Sequence, residues 1–423
     1  MRLREIAAAQ RLRETLPLLR VARPGTPPGA GSLARCRSIE DVARKARRRL
    51  PIGARGYLEG GAEGEYTLRR NRAAFDELEL VPRVVREVGS VDTSTTVLGR
   101  RVALPFALSP VGAPRMFHHE GELAAVRAAR RAGIPYGVST LGTASVEDVA
   151  AQAGGAPLWF QLYVWGDRGE AREAVARARE AGFDALLYSI DTTVRSKRER
   201  EQRAGLDLPL PHLSVKTFLD GALHPDWAWH FMTSEPIGFP NIGPPDHRSR
   251  EKLRDMFDGT VTLSDLDWIR ELWDGKLLLK GVMRPEQAQQ AVEAGLDGVI
   301  VSNHGGRQLD HAPATIDVLP DVVAAAGEQL EVLVDSGFRR GSDIAAALAL
   351  GARAVLLGRA HLYGLAAAGE GGVRHCIEIL AEELRMTMGL CGVRSIAELD
   401  GTLIRRRVPA EADLAVRARA GAR

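Results

Sequence analysis

The stretch EVLVDSGFRRGSDIAAALALGARAVLLGRA, residues 331–360, decides the fold of this chain. Two short apolar runs, 331–337 and 353–359, enclose the segment 339–351, in which Ala and Leu recur at helical spacing. The helical pattern ends at Gly351, as helices commonly do. Because both runs are apolar on both sides of the pleat, they indicate parallel strands that are covered by helices.

The same alternation of apolar runs and helical stretches extends over most of the chain. Helical patterns such as 169–182 and 284–295 separate the runs. Eight such units predict an α/β fold, a (β/α)8 TIM barrel, with a doubly wound open sheet as the alternative. The predicted strands are 104–112, 135–141, 158–164, 184–191, 276–282, 297–305, 331–337 and 353–359.

The two ends of the chain differ in composition from the predicted barrel because they are rich in basic residues. Residues 1–37 form a basic, helix-permitting N-terminal extension that ends in a Pro/Gly/Ser-rich linker, and the barrel body is predicted over 38–400. It begins near Ser38 with a helix, because an acidic first turn and a basic last turn follow and Pro51 stops the pattern. Residues 401–423 form a basic C-terminal tail. Like the basic N-terminus, it is either a solvated segment or a contact with anionic lipid or a partner.

A long insertion, 206–260, follows the fourth predicted strand and exceeds the usual length of a connection in such a fold. Connections of this length are usually functional or mobile. The insertion carries Trp227, Trp229 and Phe231. These side chains predict either docking on a membrane surface or a partner, or packing onto the barrel.

The overall composition excludes several classes of protein. With 423 residues, 45% hydrophobic residues and a net charge of +3, the chain is not disordered, collagen-like or a nucleic-acid-binding protein. Its three cysteines, Cys36, Cys376 and Cys391, lack the spacing of a metal site, so we predict no metal and a reducing compartment. No secretory signal or membrane span is recognisable. We therefore predict a cytoplasmic protein that is soluble or attached to the inner membrane surface.

Polar residues stand at the carboxyl ends of the predicted strands, where the loops of a barrel converge on its active site. Packing between apolar strands does not explain this convergence, so we predict the functional site there. The positions are Ser109, Ser139, Thr140, Gln161, Tyr163, Ser189, Asp191, Lys280, Ser302, Asn303, His304, Asp335, Gly358 and Arg359.

The sixth strand end, SNHGGRQLD (302–310), carries the strongest catalytic pattern. His304 is the best general-base candidate because imidazole titrates near neutral pH, although a histidine taken alone is more often structural. The two glycines that follow let the backbone turn so that Arg307 reaches the same cavity. A carboxylate beside the imidazole would raise its proton affinity, and Asp191 at the fourth strand end is placed to supply it.

The last two strand ends have the composition of a barrel phosphate site. Their glycines expose backbone N–H groups, the following helices begin there, and Arg339 and Arg359 offer bidentate guanidinium groups. The chain has neither a Walker loop nor a GxGxxG after its first strand. The sequence therefore predicts a phosphorylated ligand but neither an NTPase nor a Rossmann site.

Several motifs resemble one family, the FMN-dependent L-2-hydroxy acid dehydrogenases and oxidases. The resemblance covers residues 38–400 and rests on SNHGGRQLD, on YLEGGAEGEYTLRRNRAAF (57–75), on WFQLYV (159–164) and on the stretch 331–360. Members of this family include glycolate oxidase, lactate oxidase, mandelate dehydrogenase and flavin-type L-lactate dehydrogenase. The segments SPVGAPRMFHHEGE (109–122) and STLGTASVEDVA (139–150) are most similar to the bacterial flavin-type L-lactate dehydrogenases.

The resemblance implies a role for each residue that matches a family motif. His304 would be the base, oriented by Asp191, and Tyr163 would bond the substrate hydroxyl or the nascent carbonyl. The substrate carboxylate would meet Arg307, Arg198 and Tyr57. Lys280 would stabilise negative charge on the reduced flavin. The other flavin contacts would come from Pro110, Val111, Gly112, Ser139, Gln161, Ser189, Ser302 and Asp335, with Gly337, Arg339, Gly358 and Arg359 on the phosphate.

The resemblance also implies FMN as the cofactor and oxidation of an L-2-hydroxy acid, with L-lactate the first choice, to the 2-keto acid. Electrons would leave reduced FMN for a quinone, another carrier or oxygen, and the family tends towards homotetramers. Whether the Cα hydrogen leaves as a proton or as a hydride is open.

Some positions depart from the family pattern. The usual Gly-Arg-Arg is Ser196-Lys197-Arg198, and the Asp and Asn that commonly follow are Glu201 and Ala204. Leu141 stands where several oxidases carry an aromatic residue, and Val111 where a Thr is common. The smaller side chain at 141 predicts a wider substrate pocket than in those oxidases. The same chemistry on a larger or peptide-derived substrate in a biosynthetic pathway is therefore an alternative. A further alternative is a flavin-binding barrel without catalytic activity.

Overall fold

In a computed structural model, residues 33–166, 168–206, 215–243 and 259–407 are described. The chain divides into two units, Met1–Arg37 and Ser38–Arg423, and the barrel with its helices belongs to the second. Most of the predicted N-terminal extension, and the tail beyond residue 407, lie outside the described residues.

Eight parallel strands close into a barrel, so the fold is the predicted (β/α)8 barrel. Each strand pairs with the next in the chain, and the last closes on the first. The strands are β1 (Phe106–Leu108), β2 (Tyr136–Ser139), β3 (Leu158–Leu162), β4 (Ala185–Ser189), β5 (Lys276–Val282), β6 (Gly298–Val301), β7 (Glu331–Val334) and β8 (Ala354–Leu357).

The helices surround this barrel or precede it. A long C-terminal helix, bent at Ala368 and Gly369, packs against the first helix of the unit. The helices are α1 (Ile39–Arg49), α2 (Ile52–Glu59), α3 (Tyr66–Ala73), α4 (Gly121–Ala132), α5 (Val146–Ala153), α6 (Arg168–Glu180), α7 (Glu199–Arg203), α8 (Val215–Ala222), α9 (Pro225–Thr233), α10 (Asp265–Leu272), α11 (Pro285–Glu293), α12 (Thr315–Ala326), α13 (Gly341–Ala349) and α14 (Arg359–Leu390).

The first helix shows how local sequence fixes an element. Ser38 caps α1 by accepting a hydrogen bond from the Asp41 N–H, and the Asp41 carboxylate accepts one from the Ser38 N–H. This capping box satisfies two N–H groups that a helix start leaves unpaired. The buried face of α1 includes Ile39 and Val42. Because the cap and the apolar face are both local patterns, this helix is predicted correctly.

Inward-facing residues of the strands, among them Trp159, Leu278 and Leu333, fill the barrel. A short hairpin, Thr95–Val97 with Arg100–Val102, adds apolar side chains to the same core. The Leu98 N–H of the hairpin donates to the Glu331 carboxylate, at the start of β7. The hairpin therefore covers the amino ends of the strands and leaves the carboxyl ends for the site.

The insertion between β4 and β5 contributes α8 and α9, while 207–214 and 244–258 lie outside the described residues. The Trp227 Nε1–H donates to the carbonyl of Met116 at 2.8 Å, and its ring stacks on Phe231. Trp229 is 68% exposed and Phe231 is 49% exposed. Trp227 is thus bonded to the barrel body, whereas Trp229 and Phe231 face outwards.

A short strand lies beyond the boundary predicted at residue 400. Ile404–Arg406 pairs antiparallel with Leu78–Leu80, so strand pairing continues to residue 406. The sequence predicts a tail here because Ile404–Arg406 is too short and too basic to indicate a strand. The strand forms because it pairs with a segment that is distant in the chain. No helix among the described residues is both long and apolar enough to cross a membrane.

Candidate active site

A large cavity opens at the carboxyl ends of the barrel strands. The space between its walls, counting the open mouth, is about 1530 Å³. Seventeen of the predicted site residues line it: Tyr57, Pro110, Val111, Gly112, Ser139, Gln161, Tyr163, Ser189, Arg198, Lys280, His304, Arg307, Asp335, Gly337, Arg339, Gly358 and Arg359.

Two predicted site residues lie behind this wall. Asp191 contacts the cavity only through the ring of His304. Ser302 is fully buried, where its Oγ accepts from the Lys280 ammonium at 3.0 Å and from the His304 N–H at 3.1 Å. Ser302 therefore holds two residues that do line the cavity, and its own contact with the cofactor stays a prediction.

The catalytic candidates form a chain of three side chains. His304 Nδ1 lies 3.1 Å from Asp191 Oδ2, and His304 Nε2 lies 3.3 Å from the Tyr163 hydroxyl. If Nδ1 carries the proton bonded to Asp191, Nε2 is left as the acceptor that faces the cavity. This is the geometry that a general base requires.

The charge state of Asp191 suits this role. Burial raises the pKa of Asp191, but the charge and hydrogen bond of His304 and the charge of Lys280 outweigh it. The net result is a pKa below the ordinary value. Asp191 is therefore ionised at neutral pH and is able to accept a hydrogen bond from the His304 Nδ1–H. Burial raises the pKa of the Tyr163 hydroxyl, so this group remains a hydrogen-bond donor.

Local backbone geometry places His304 and Arg307 in the cavity. His304 has φ +58°, Gly305 has φ +67° and Gly306 has φ +74°, so three successive residues adopt the left-handed region. A Cβ on Gly306 would lie 2.6 Å from the backbone N of Leu68. Only glycine fits at this position, which explains the double glycine after the histidine.

A cluster of buried cations lies at the same end of the cavity. Arg307 donates from Nη1 to the carbonyls of Tyr57 and Gly60 at 2.9 and 3.0 Å, and its guanidinium lies over the Tyr57 ring. Arg198 donates to the side chain of Gln308 at 3.2 Å. Burial, together with the charge of Arg307, lowers the pKa of Arg198 to about 10. Two guanidinium groups this close and this buried form a site for an anion.

The floor of the cavity is a row of polar groups on neighbouring strands. Ser139 Oγ donates to Gln161 Oε1 at 2.9 Å, and Gln161 Nε2 donates to Ser189 Oγ at 3.1 Å. Next in the row, the Lys280 ammonium lies 3.1 Å from Asp335. Burial lowers the pKa of Lys280, but Asp335 and Asp191 outweigh this effect and raise it, so a charged ammonium is held in the floor.

The predicted phosphate residues also line the cavity, and Arg359 donates to the same Gly60 carbonyl as Arg307. A Cβ on Gly358, just before α14, would meet nothing within 4 Å, so the backbone there is open to a ligand. Arg339 lies over the Tyr363 ring and lines the cavity. Arg359 also lines it, but its guanidinium donates to the carbonyls of Leu58, Gly60 and Gly305. The two N–H groups of Arg359 that these bonds do not use are those left for a phosphate.

Several residues that support this site have no role assigned to them by the sequence, although Asn303 is among the predicted strand-end positions. Asn71 and Asn303 exchange two amide hydrogen bonds, 2.9 and 2.7 Å long, and so tie α3 to the His304 loop. Asp310 accepts from the Thr67 N–H at the start of α3. Glu201 lines the cavity beside Arg307. Asn71, Asn303 and Asp310 lie within the motifs that resemble the family. Their position as polar residues in those motifs, without an assigned role, is the feature of the sequence that could have indicated them.

Comparison with known proteins places this geometry in a family. A family model described as FMN-dependent dehydrogenase matches residues 46–406. The chain belongs to the FMN-dependent dehydrogenase family. FMN is therefore its cofactor, and the protein is an FMN-dependent 2-hydroxy acid oxidoreductase. The resemblance seen in the sequence is confirmed.

Individual relatives of this FMN-dependent dehydrogenase cover nearly the whole chain. It is 42% identical to L-lactate dehydrogenase of Caulobacter vibrioides over 88% of this chain and 98% of the relative. It is 40% identical to L-lactate dehydrogenase of Chromohalobacter salexigens, over 85% and 93%. The crystal structure of the monotopic membrane protein (S)-mandelate dehydrogenase is similar with a TM-score of 0.84 and 40% identity, covering 88% of this chain and all of that one.

The residues present fit FMN. The polar floor offers donors and acceptors for the edge of a flavin ring, and the buried Lys280 ammonium offers a positive charge beside it. Gly358, at the start of α14, and Arg339 offer an N–H and a guanidinium for a phosphate. We expect Lys280, Gln161 and Ser139 to hold the ring and Arg339 to hold the phosphate.

The lowered pKa of Asp191 gives a testable dependence of stability on pH. A carboxylate with a lowered folded-state pKa stabilises the fold above its ordinary pKa, about 3.9, and loses this contribution as the pH falls through the lowered value. We expect Asp191→Asn to lower the Tm by a constant amount above about pH 5, and by less as the pH falls below 4. Thermal unfolding of both proteins across this range checks it. A Tm difference that grows towards acid pH contradicts the assignment.

Proposed function

We propose that this enzyme oxidises an L-2-hydroxy acid to the 2-keto acid and passes the electrons from reduced FMN to a carrier. The observation that supports this proposal is the Asp191–His304–Tyr163 chain in one cavity with Arg198 and Arg307. A base, a hydroxyl partner and two cations for a carboxylate are the groups that a 2-hydroxy acid needs. FMN, when bound, supplies the two-electron redox chemistry.

The chain's own side chains would share the remaining work. Arg307 and Arg198 bind and orient the substrate carboxylate, with Tyr57 beside it. The substrate hydroxyl then lies near Tyr163 and His304, and His304 Nε2 takes its proton. Ionised Asp191 stabilises the imidazolium that forms. The Lys280 ammonium stabilises negative charge that develops at the cavity floor.

L-Lactate is the substrate we propose first, because relatives at about 40% identity carry the name L-lactate dehydrogenase. One observation favours a larger acid as the second candidate. Leu141 lines the cavity where several oxidases of this family carry an aromatic residue, and it leaves more space beside Tyr57 and Gly112. A similar structure is a mandelate dehydrogenase, which acts on an aromatic 2-hydroxy acid.

Anaerobic absorbance of the purified holoenzyme tests the function directly. L-Lactate, glycolate, L-mandelate and longer L-2-hydroxy acids are titrated in turn, with the D-enantiomers as controls. We expect an L-acid to bleach the flavin and its D-enantiomer to leave it oxidised. If none of the acids bleaches a fully FMN-loaded protein, the proposed reaction is wrong.

We also propose that the enzyme acts at the inner membrane surface, with a quinone as electron acceptor. The support is a set of five large apolar side chains on α8, on α9 and in the turn between them, which are 49–79% exposed. Contiguous exposed apolar surface with Trp is typical of membrane-interface segments. The structurally similar mandelate dehydrogenase is described as a monotopic membrane protein. The side chains are Leu219, Leu223, Trp229, Phe231 and Met232.

Vesicle binding tests the role of these side chains. We expect the double variant Trp229→Ser and Leu223→Ser to lose membrane partitioning by roughly tenfold or more, because each large apolar side chain contributes about 1.5–3 kcal/mol when it leaves water. Co-sedimentation with anionic phospholipid vesicles measures it. The control is Leu390→Ser, which removes an exposed leucine at the end of α14. Equal loss in the control, or none in the double variant, refutes that role.

A further inference from the structure

A buried carboxylate lies among the cations of the substrate pocket and has no part in the proposed mechanism. Glu201, on the short helix α7, is only 4% exposed. Its Oε1 lies 2.8 Å from Arg307 Nη2, and its Oε2 lies 4.0 Å from Arg198 Nη1. The first pair is badly aligned, so neither of its two atoms makes a hydrogen bond within the described parts of the chain. The contact is therefore mainly one of charge with charge.

The position of Glu201 is fixed by close packing of α7 against α2. A Cβ on Gly56 would lie 2.8 Å from the Cβ of Ala204, and one on Gly60 would lie 3.5 Å from the Glu201 side chain. The two helices therefore approach closely enough that Glu201 has little room to turn away from the cavity. On the outer side of α7, Arg200 pairs with Glu65 and further anchors the helix.

The charges at this end of the cavity add up to one excess cation. Asp191 is paired with His304, and Lys280 is paired with Asp335. Arg359 donates to the same Gly60 carbonyl as Arg307, but we expect the FMN phosphate to balance its charge. The other buried charges that remain are Arg198, Arg307 and Glu201, that is, two positive and one negative. Arg195 also lines the cavity, but its side chain is exposed, so solvent and salt screen it.

We propose that Glu201 is a positioning residue that orients Arg307 and sets the pocket charge for a substrate with a single negative charge. This inference rests on the proposed function, because it concerns the carboxylate site of the same reaction. One excess cation matches the one carboxylate of a monocarboxylic 2-hydroxy acid. A second negative charge on the ligand would face Glu201 without a cation of its own, so dicarboxylates are selected against.

The carboxylate also explains a departure from the family pattern. The family commonly has Asp at this position, and Glu201 carries one more methylene group. The longer side chain brings its charge to 2.8 Å from Arg307, at the cavity wall. The identity of the residue at 201 therefore affects the substrate pocket directly, through charge and through the orientation of Arg307.

Oxalate and oxamate provide a matched pair of probes, since they have nearly the same shape but carry two and one negative charges. Binding of each to the oxidised, FMN-loaded enzyme is followed by the change in flavin absorbance, so no turnover is needed. In Glu201→Gln the pocket gains one positive charge, and a dianion gains twice the attraction of a monoanion. We expect the ratio of oxamate Kd to oxalate Kd to rise roughly tenfold, from Coulomb attraction across a partly buried pocket.

Two further variants make the result specific. Glu201→Asp keeps the charge and should leave the ratio near that of the wild type, even if its shorter side chain raises the KM for the hydroxy acid. Glu199→Gln, two residues away on α7, removes a carboxylate that pairs with Lys197 and Arg203 instead of with the pocket, and should leave the ratio unchanged. FMN content and Tm report whether each variant is folded.

The outcomes separate the two proposals. If a hydroxy acid bleaches the flavin but Glu201→Gln leaves the Kd ratio unchanged, or changes it as much as Glu199→Gln does, the role of Glu201 is wrong and the proposed function stands. If no hydroxy acid bleaches the wild-type flavin and neither oxalate nor oxamate perturbs its absorbance, both proposals are wrong.

Discussion

Replacement of His304 by alanine is expected to leave FMN bound but to slow flavin reduction by substrate by roughly 10²–10⁴-fold, the usual contribution of a general base. The reason is that Nε2 of His304 is the acceptor that faces the cavity while Nδ1 is bonded to Asp191. FMN should remain because the polar floor and the phosphate residues do not depend on this side chain. Stopped-flow absorbance under anaerobic conditions measures the rate.

His311→Ala is the matched control for this experiment. His311 lies on the same loop, but its ring stacks on Tyr66 and does not line the cavity. Its loss should leave the rate of flavin reduction within a few-fold of the wild type. Normal bleaching in His304→Ala would show that another group takes the proton, and the assignment of the base would fail.

The second large effect is expected at Arg307. Arg307→Lys keeps the positive charge but loses the fork that binds two backbone carbonyls and faces Glu201. We expect kcat/KM for the hydroxy acid to fall by roughly 30-fold or more, equivalent to about 2 kcal/mol for a disturbed buried charge pair. Most of the loss should lie in KM, because the carboxylate is bound before the chemical step and throughout it.

Steady-state kinetics with FMN-loaded protein measure this effect, and Arg200→Lys is the control. Arg200 lies on α7 close to the same pocket, but it is exposed and pairs with Glu65. The control should keep both constants near their wild-type values. An unchanged KM in Arg307→Lys would indicate that Arg198 alone binds the carboxylate.

The barrel itself could be predicted from the sequence because its signals are local. Each strand is a short apolar run and each covering helix repeats every three to four residues, so eight repeats identify the fold. The main catalytic candidates follow from the same argument. His304 and Arg307 stand at one strand end and Asp191 at another, and the closed barrel brings these ends together.

Elements that depend on distant partners could not be predicted in this way. The strand Ile404–Arg406 exists because it pairs with Leu78–Leu80, and three residues alone carry too little signal. The amide pair of Asn71 and Asn303 joins residues 232 positions apart. Nothing in either local sequence indicates that pairing.

Local sequence patterns were enough to specify the barrel, the strand ends that carry the chemistry and the family, because periodicity and motif spacing are properties of short segments. Which of the site residues are buried, and which of them form hydrogen bonds or ion pairs with one another, depended on tertiary packing. Packing buried Ser302 behind Lys280, directed the guanidinium of Arg359 to backbone carbonyls and brought Glu201 to Arg307. Burial and charge pairing depend on which segments pack together in three dimensions, and spacing along the chain does not contain that information.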